Sequence, residues 1–134
     1  MGKRILASGK FDLLHPGHIH YLKESADLSD GGELWVVITH EENMEENLFS
    51  NQERKRVVEA LETVDRVVVG KRKVDYESVL KEVDPDVVTV GYDQERKSLE
   101  KAIRKLGKDI EIKEISPLNP EKYSSTILKS LIGE

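Results

Sequence analysis

Cysteine is absent from the 134 residues, which removes disulfide frameworks, cysteine-based zinc sites and a catalytic thiol from consideration. That composition fits a cytoplasmic protein. Long apolar runs are also missing. Behind Met1 the chain is charged at Lys3 and Arg4 and then only briefly apolar, so neither a signal peptide nor a membrane span is expected. Nor does one sign of charge dominate. A formal net charge of −5 with acidic and basic residues interspersed argues against a general nucleic-acid binder, so any phosphate contacts must be local. Glycine fingerprints are lacking too. The first turn has Gly9 but not the three glycines of a dinucleotide site, and no Walker-type Gly-Lys-Ser/Thr loop follows any strand signal.

What is present is an alternation of strand and helix signals without repeats or low-complexity linkers, the mark of one α/β domain, 1–134, built on a parallel sheet. Ile5-Leu6-Ala7 reads as the first strand and Leu34 to Ile38 as a second, central one. Val67-Val68-Val69 reads as the third and Val87 to Val90 as the fourth, while Ile110 to Ile115 alternates like an edge strand. Between them, a helix from Pro16 to Ala26 is expected to lay Ile19, Leu22 and Ala26 on the sheet. Ser50 and Glu53 have capping-box spacing for a helix through Val57, Val58 and Leu61. Asp75 suits the cap of a helix holding Val79 and Leu80, and Leu99, Ile103 and Leu106 mark one stopped by Gly107. The glutamate-rich segment from His40 to Phe49 has no strand pattern and reads as a mobile loop. A last helix is expected from Ser124 or Ser125, burying Ile127, Leu128, Leu131 and Ile132.

The chemistry concentrates in Gly9-Lys10-Phe11-Asp12-Leu13-Leu14-His15-Pro16-Gly17-His18. Gly9 allows a sharp turn, Pro16 suits the first turn of a helix, and open N–H groups at that helix start favour a phosphate. His15 and His18 add two imidazole donors. Alone, the His-x-x-His spacing equally suits two helix-capping histidines. A metal centre on His15, His18 and His20 is disfavoured, because at ~100° per residue His18 and His20 point to roughly opposite faces. Ser124-Ser125-Thr126 at a second helix start could cradle another phosphate or simply cap. Gly91 and Asp93, behind the fourth strand, could reach the same crevice as the histidines.

His-Pro-Gly-His after Gly-x-Phe-Asp-Leu-Leu, with the later Gly91-Tyr92-Asp93-Gln94 and Tyr123-Ser124-Ser125-Thr126-Ile127, resembles the HxGH signature set of the cytidylyltransferase-like nucleotidyltransferases. Within them the chain is most similar to archaeal FAD synthase and glycerol-3-phosphate cytidylyltransferase. The resemblance implies a Rossmann-like, HUP-type domain: a five-stranded parallel sheet with helices on both faces. It implies transfer of a nucleoside monophosphate from ATP or CTP to a phosphorylated acceptor, with release of pyrophosphate. FMN and ATP are the expected pair, and glycerol 3-phosphate and CTP the alternative. A protein that binds nucleotide without efficient transfer is the alternative of another class. His15 and His18 become the catalytic donors. Gly9, Lys10, Phe11, Pro16, Gly17, Gly91, Asp93, Tyr123, Ser124, Ser125 and Thr126 become the nucleotide site, with Arg54 and Lys122 as candidate phosphate contacts. Mg²⁺ is expected on the triphosphate rather than on protein ligands, and the chain is expected to pair as a homodimer. Three departures stand out: Lys10 replaces the usual threonine, glutamates fill the loop from Glu41 to Asn47, where relatives tend to carry lysines, and the arginine often found before the closing Ser/Thr motif is missing, with Asn119, Pro120 and Lys122 in that neighbourhood.

Overall fold

The computed structural model describes residues 2–91, 94 and 96–118. Five strands, β1 (Arg4–Gly9), β2 (Glu33–Ile38), β3 (Arg66–Val69), β4 (Val87–Gly91) and β5 (Glu111–Ile115), form one sheet in the order β3-β2-β1-β4-β5, every pair parallel. Four helices, α1 (Pro16–Asp27), α2 (Asn51–Glu59), α3 (Tyr76–Val83) and α4 (Lys97–Leu106), alternate with the strands. Because neighbouring residues of a strand face opposite sides, the apolar runs split cleanly between two cores. Ile5, Ala7, Leu34, Val36, Ile38 and Val87 pack with Leu22 of α1 and Val58 of α2. Leu6, Val88 and Val90 pack with Leu80 and Val83 of α3 and with Leu99, Ala102 and Ile103 of α4. The sheet is therefore covered on both faces, the Rossmann-like, HUP-type arrangement expected.

Several local signals act as read. Ser50 and Glu53 close a reciprocal capping box on α2, Asp75 caps α3 through the Ser78 N–H, and Gly107 takes a left-handed φ of 67° behind α4. Three expectations change. Ile19 is 37% exposed, because the buried line of α1 runs through Leu22 and Ser25 and leaves Ile19 on its flank. Helix α2 stops at Glu59, before Leu61, and Val57 on it stays exposed. The segment read as a mobile loop is organised: a 3₁₀ turn spans Glu41–Asn43, Met44 is buried, and the N–H groups of Leu48 and Phe49 are tied down. The final helix expected from Ser124 or Ser125 lies outside the described residues.

Candidate active site

The strand order reverses between β1 and β4, the place where open α/β sheets leave a crevice at their carboxyl ends. Strands β1 and β2 pair along six positions, whereas β1 and β4 pair only at Ile5–Val87 and Leu6–Val88 and then part. Two side chains bridge the gap. The buried Tyr21 hydroxyl accepts the Ser8 N–H at 3.1 Å and donates to the Thr89 carbonyl at 2.8 Å, and Ser25 and Thr89 hydroxyls join the same network. Gln94 donates from Nε2 to the Ser8 carbonyl and accepts the Gly91 N–H at 2.7 Å. Tyr21 drew no attention in the sequence, because an aromatic within an amphipathic helix reads as core.

At the end of β1 the chain turns for a reason other than glycine's flexibility. Gly9 has no left-handed φ, but a Cβ there would sit 2.8 Å from the Phe11 ring. The left-handed residue is Phe11 itself, at φ 49° and 2% exposed. Its ring packs on His18 with centroids 5.3 Å apart. Gly9, Phe11 and His18 thus form a continuous stack, and this fixes the second histidine against the sheet end.

The two readings of the histidines, capping and chemistry, turn out to be compatible. His15 is the N-cap of α1, and its Nδ1 accepts the Gly17 N–H at 3.0 Å; His18 reaches back so that its Nδ1 accepts the His15 N–H at 3.2 Å. A neutral imidazole whose Nδ1 accepts carries its proton on Nε2. The caps therefore set the tautomer, and both rings, 3.9 Å apart at their centroids, carry their proton on Nε2. Burial, reinforced by the neighbouring His15, pushes His18 down to about 4, so it is neutral at pH 7; burial also lowers His15. One expectation is corrected here. The backbone N–H groups that were to hold phosphate are engaged: Pro16 has none, Gly17 donates to His15 Nδ1, and His18 donates to the His15 carbonyl. The anion donors at this corner are the imidazoles.

Arg54, a candidate phosphate contact from sequence, is 1% exposed. Its guanidinium donates to the carbonyls of Lys10 and Phe49 and to Asn51 Oδ1, at 2.8, 3.2 and 2.7 Å. It braces the loop that carries the exposed Lys10. Asp12, 4% exposed, accepts from the Leu48 and Phe49 N–H groups at 2.7 and 2.9 Å. Together they weld the histidine motif to the loop behind β2. The Arg54–Lys10 and Asp12–Leu48 partnerships have no local sequence signal, since the groups lie 44 and 36 positions apart. His20 meets the Ser116 carbonyl at 3.0 Å, and His40 caps the 3₁₀ turn. Asp93, Lys122, Tyr123, Ser124, Ser125 and Thr126 lie outside the described residues. Among the described residues, no three potential ligands cluster as a metal site.

The histidine corner, the split between β1 and β4, and the glycine-terminated strand β4 match one architecture, and residues 6–131 match the model of the cytidylyltransferase-like family. The chain belongs to that family. Relatives within it are close in length. A Methanopyrus kandleri protein named FAD synthase is 39% identical, the match covering 98% of this chain and 89% of that one. A Thermoplasma volcanium protein, also named FAD synthase, is 38% identical, covering 98% of this chain and 94% of that one. A solved structure from Thermoplasma volcanium GSS1, described as a lipopolysaccharide core biosynthesis protein, superposes with a TM-score of 0.80 at 38% identity. It covers 89% of this chain and all of its own. The cytidylyltransferase-like chain is a nucleotidyltransferase, and among its described residues no helix is long and apolar enough to cross a membrane.

Proposed function

We propose that this chain is an FMN adenylyltransferase, an FAD synthase: it moves AMP from ATP to the phosphate of FMN. The observation that carries the reading is the imidazole pair whose Nδ1 atoms both accept backbone N–H groups as caps, which puts each ring's proton on Nε2 at the end of β1. The names of the relatives support the acceptor and the nucleotide. An oxygen of the FMN phosphate attacks the α-phosphorus, the bond from that phosphorus to the bridging β-oxygen breaks, and pyrophosphate leaves with the electron pair. A phosphate monoester is already ionised near neutral pH, so no general base is needed. What the protein must do is orient the two phosphates and stabilise the charge that gathers on the α-phosphate oxygens. His15 and His18 do this as neutral donors, and Lys10, its carbonyl held by Arg54, adds charge beside them. Gly91 and Asp93 are assigned to the nucleotide's base and ribose, and Tyr123, Ser124, Ser125, Thr126 and Lys122 to its phosphates.

Mg²⁺ carried by the triphosphate would offset the charge of the leaving pyrophosphate. Asp12, the carboxylate nearest the motif in sequence, is already engaged by two backbone N–H groups, which fits an ion carried by the nucleotide. Family likeness supports a cytoplasmic homodimer, which sedimentation at working concentration tests. For the activity, the protein is incubated with ATP, Mg²⁺ and FMN and the flavins are separated by chromatography. FAD and pyrophosphate appearing in equal amounts is the expected result; folded protein that yields neither overturns the assignment.

A further inference from the structure

The face of the sheet opposite the histidine-bearing helix holds a second feature. At the carboxyl ends of β1, β2 and β3, under the start of α3, lies a cavity of about 260 Å³. Its walls are mostly apolar, with Val37, Val79 and Val88 among them beside the polar Ser8, Thr39 and Gln94, and its mouth is edged by Val74 and Tyr76, both exposed. Gly9 lines it as well, so the cavity begins where the Phe11–His18 stack ends.

Three physical points say what it takes. Its volume lies just below the usual range for whole small-molecule sites, about 300–1,000 Å³, so it suits one fused ring system whose tail lies outside. A flat ring covers its apolar wall of Val37, Val79 and Val88 better than a glycerol chain, whose hydroxyls pressed against those side chains cost free energy. Its position relative to the histidines also matters. The imidazoles sit on the α1 side of Gly9 and the cavity on the α3 side, so an acceptor seated there approaches the α-phosphate from the side away from the imidazoles. In-line displacement sets the attacking oxygen opposite the leaving pyrophosphate, and an acceptor on the α3 side leaves the imidazoles free access to the other α-phosphate oxygens.

The mouth is built by two loops joined to each other. Arg72 Nε and Nη2 donate to the Glu42 carboxylate at 2.8 and 2.7 Å, and Asn43 Nδ2 donates to the Lys71 carbonyl at 3.1 Å. The glutamate-rich loop that departs from the family's lysines is thus clasped by a basic loop from the next strand. Lys71 lines the cavity, and its ammonium makes no ion pair among the described residues.

Resting on the FMN reading above, we propose that this cavity is the flavin-ring site: the isoalloxazine enters past Val74 and Tyr76 to lie against Val79, Lys71 bonds its carbonyl edge, and the phosphate tail leaves past Gly9 toward the histidines. The test uses Val79→Phe, which fills the cavity from α3, and Lys71→Ala at its exposed mouth. Binding of FMN without ATP is read by flavin fluorescence, and KM for FMN and for ATP are measured separately. Val79→Phe is expected to weaken FMN binding by about tenfold or more, equivalent to about 1.4 kcal/mol. Lys71→Ala should weaken it less, and the KM for ATP should stay within about twofold in both. If Val79→Phe does not fold, Tyr76→Ala at the exposed rim carries the same test. Unchanged FMN binding in the folded variants overturns the proposal, even if the native chain makes FAD. A native chain that makes no FAD overturns the function instead, and FMN binding in the variants still decides what the cavity holds.

Discussion

His18 has two jobs on two different nitrogens, so a substitution can separate them. Nδ1 accepts the His15 N–H and completes the cap of α1; Nε2–H is assigned to the α-phosphate. His18→Asn keeps an oxygen near the Nδ1 position but has nothing that reaches the Nε2 position. His18→Ala loses both, together with the ring's packing on Phe11 and His15. Losing a helix-capping acceptor costs about 1 kcal/mol, and losing one preorganised donor to a developing oxyanion costs on the order of 10²- to 10³-fold in rate, roughly 2.7–4 kcal/mol. The alanine variant should therefore be less stable than the asparagine variant by about 1 kcal/mol. Both should fall by a similar factor in kcat/KM. Urea unfolding gives the first quantity and pyrophosphate release the second. A folded His18→Asn variant that turns over at the native rate would refute the division of labour and remove His18 from the chemistry.

Gly9→Ala places a methyl 2.8 Å from the Phe11 ring, which must move and take His18 with it; a loss of about 1–3 kcal/mol in stability and up to about 10²-fold in turnover is expected, with Phe11→Leu in the same chain restoring part of the stability. Equal stability of Gly9→Ala and native protein would contradict the stacking. Asp12→Asn removes the charge that accepts from Leu48 and Phe49 and lies near the buried Arg54 guanidinium, and it should cost about 2–4 kcal/mol in urea unfolding. Acid should act through His18. Its folded value of about 4 lies below the ordinary 6.5, so the unfolded chain binds the extra proton and stability falls as the pH drops from about 6.5 to 4. The whole contribution is at most about 3 kcal/mol. Urea midpoints at pH 7, 5.5 and 4.5 should therefore fall more steeply for the native chain than for His18→Asn, and parallel declines would contradict the assignment.

Four strands were legible because each is an apolar run bounded by glycine, proline or charge, as a parallel sheet covered on both faces needs, and the fifth because it alternates as an edge strand does. Caps at Ser50 and Asp75 and the stop at Gly107 were legible because their partners lie within three or four residues. The resemblance of the His-Pro-Gly-His stretch and its two distant companions carried the family. What stayed hidden depends on partners far along the chain. Arg54 looks like a surface cation until the Lys10 carbonyl, 44 residues away, accepts its hydrogen bond, and the glutamate-rich loop looks mobile until Asp12 and Arg72 hold it at both ends. Ile19 has helical spacing from Leu22, yet the line that meets the sheet is set by Ser25 bonding Thr89, a polar contact no hydrophobic pattern reveals.

The most direct test of the central claim is pyrophosphate release with Mg²⁺ from four mixtures, ATP or CTP each with FMN or glycerol 3-phosphate. Release from ATP with FMN, and from no other pair, is the predicted result. Release only from CTP with glycerol 3-phosphate, or none from any pair by protein that still binds nucleotide, would contradict it.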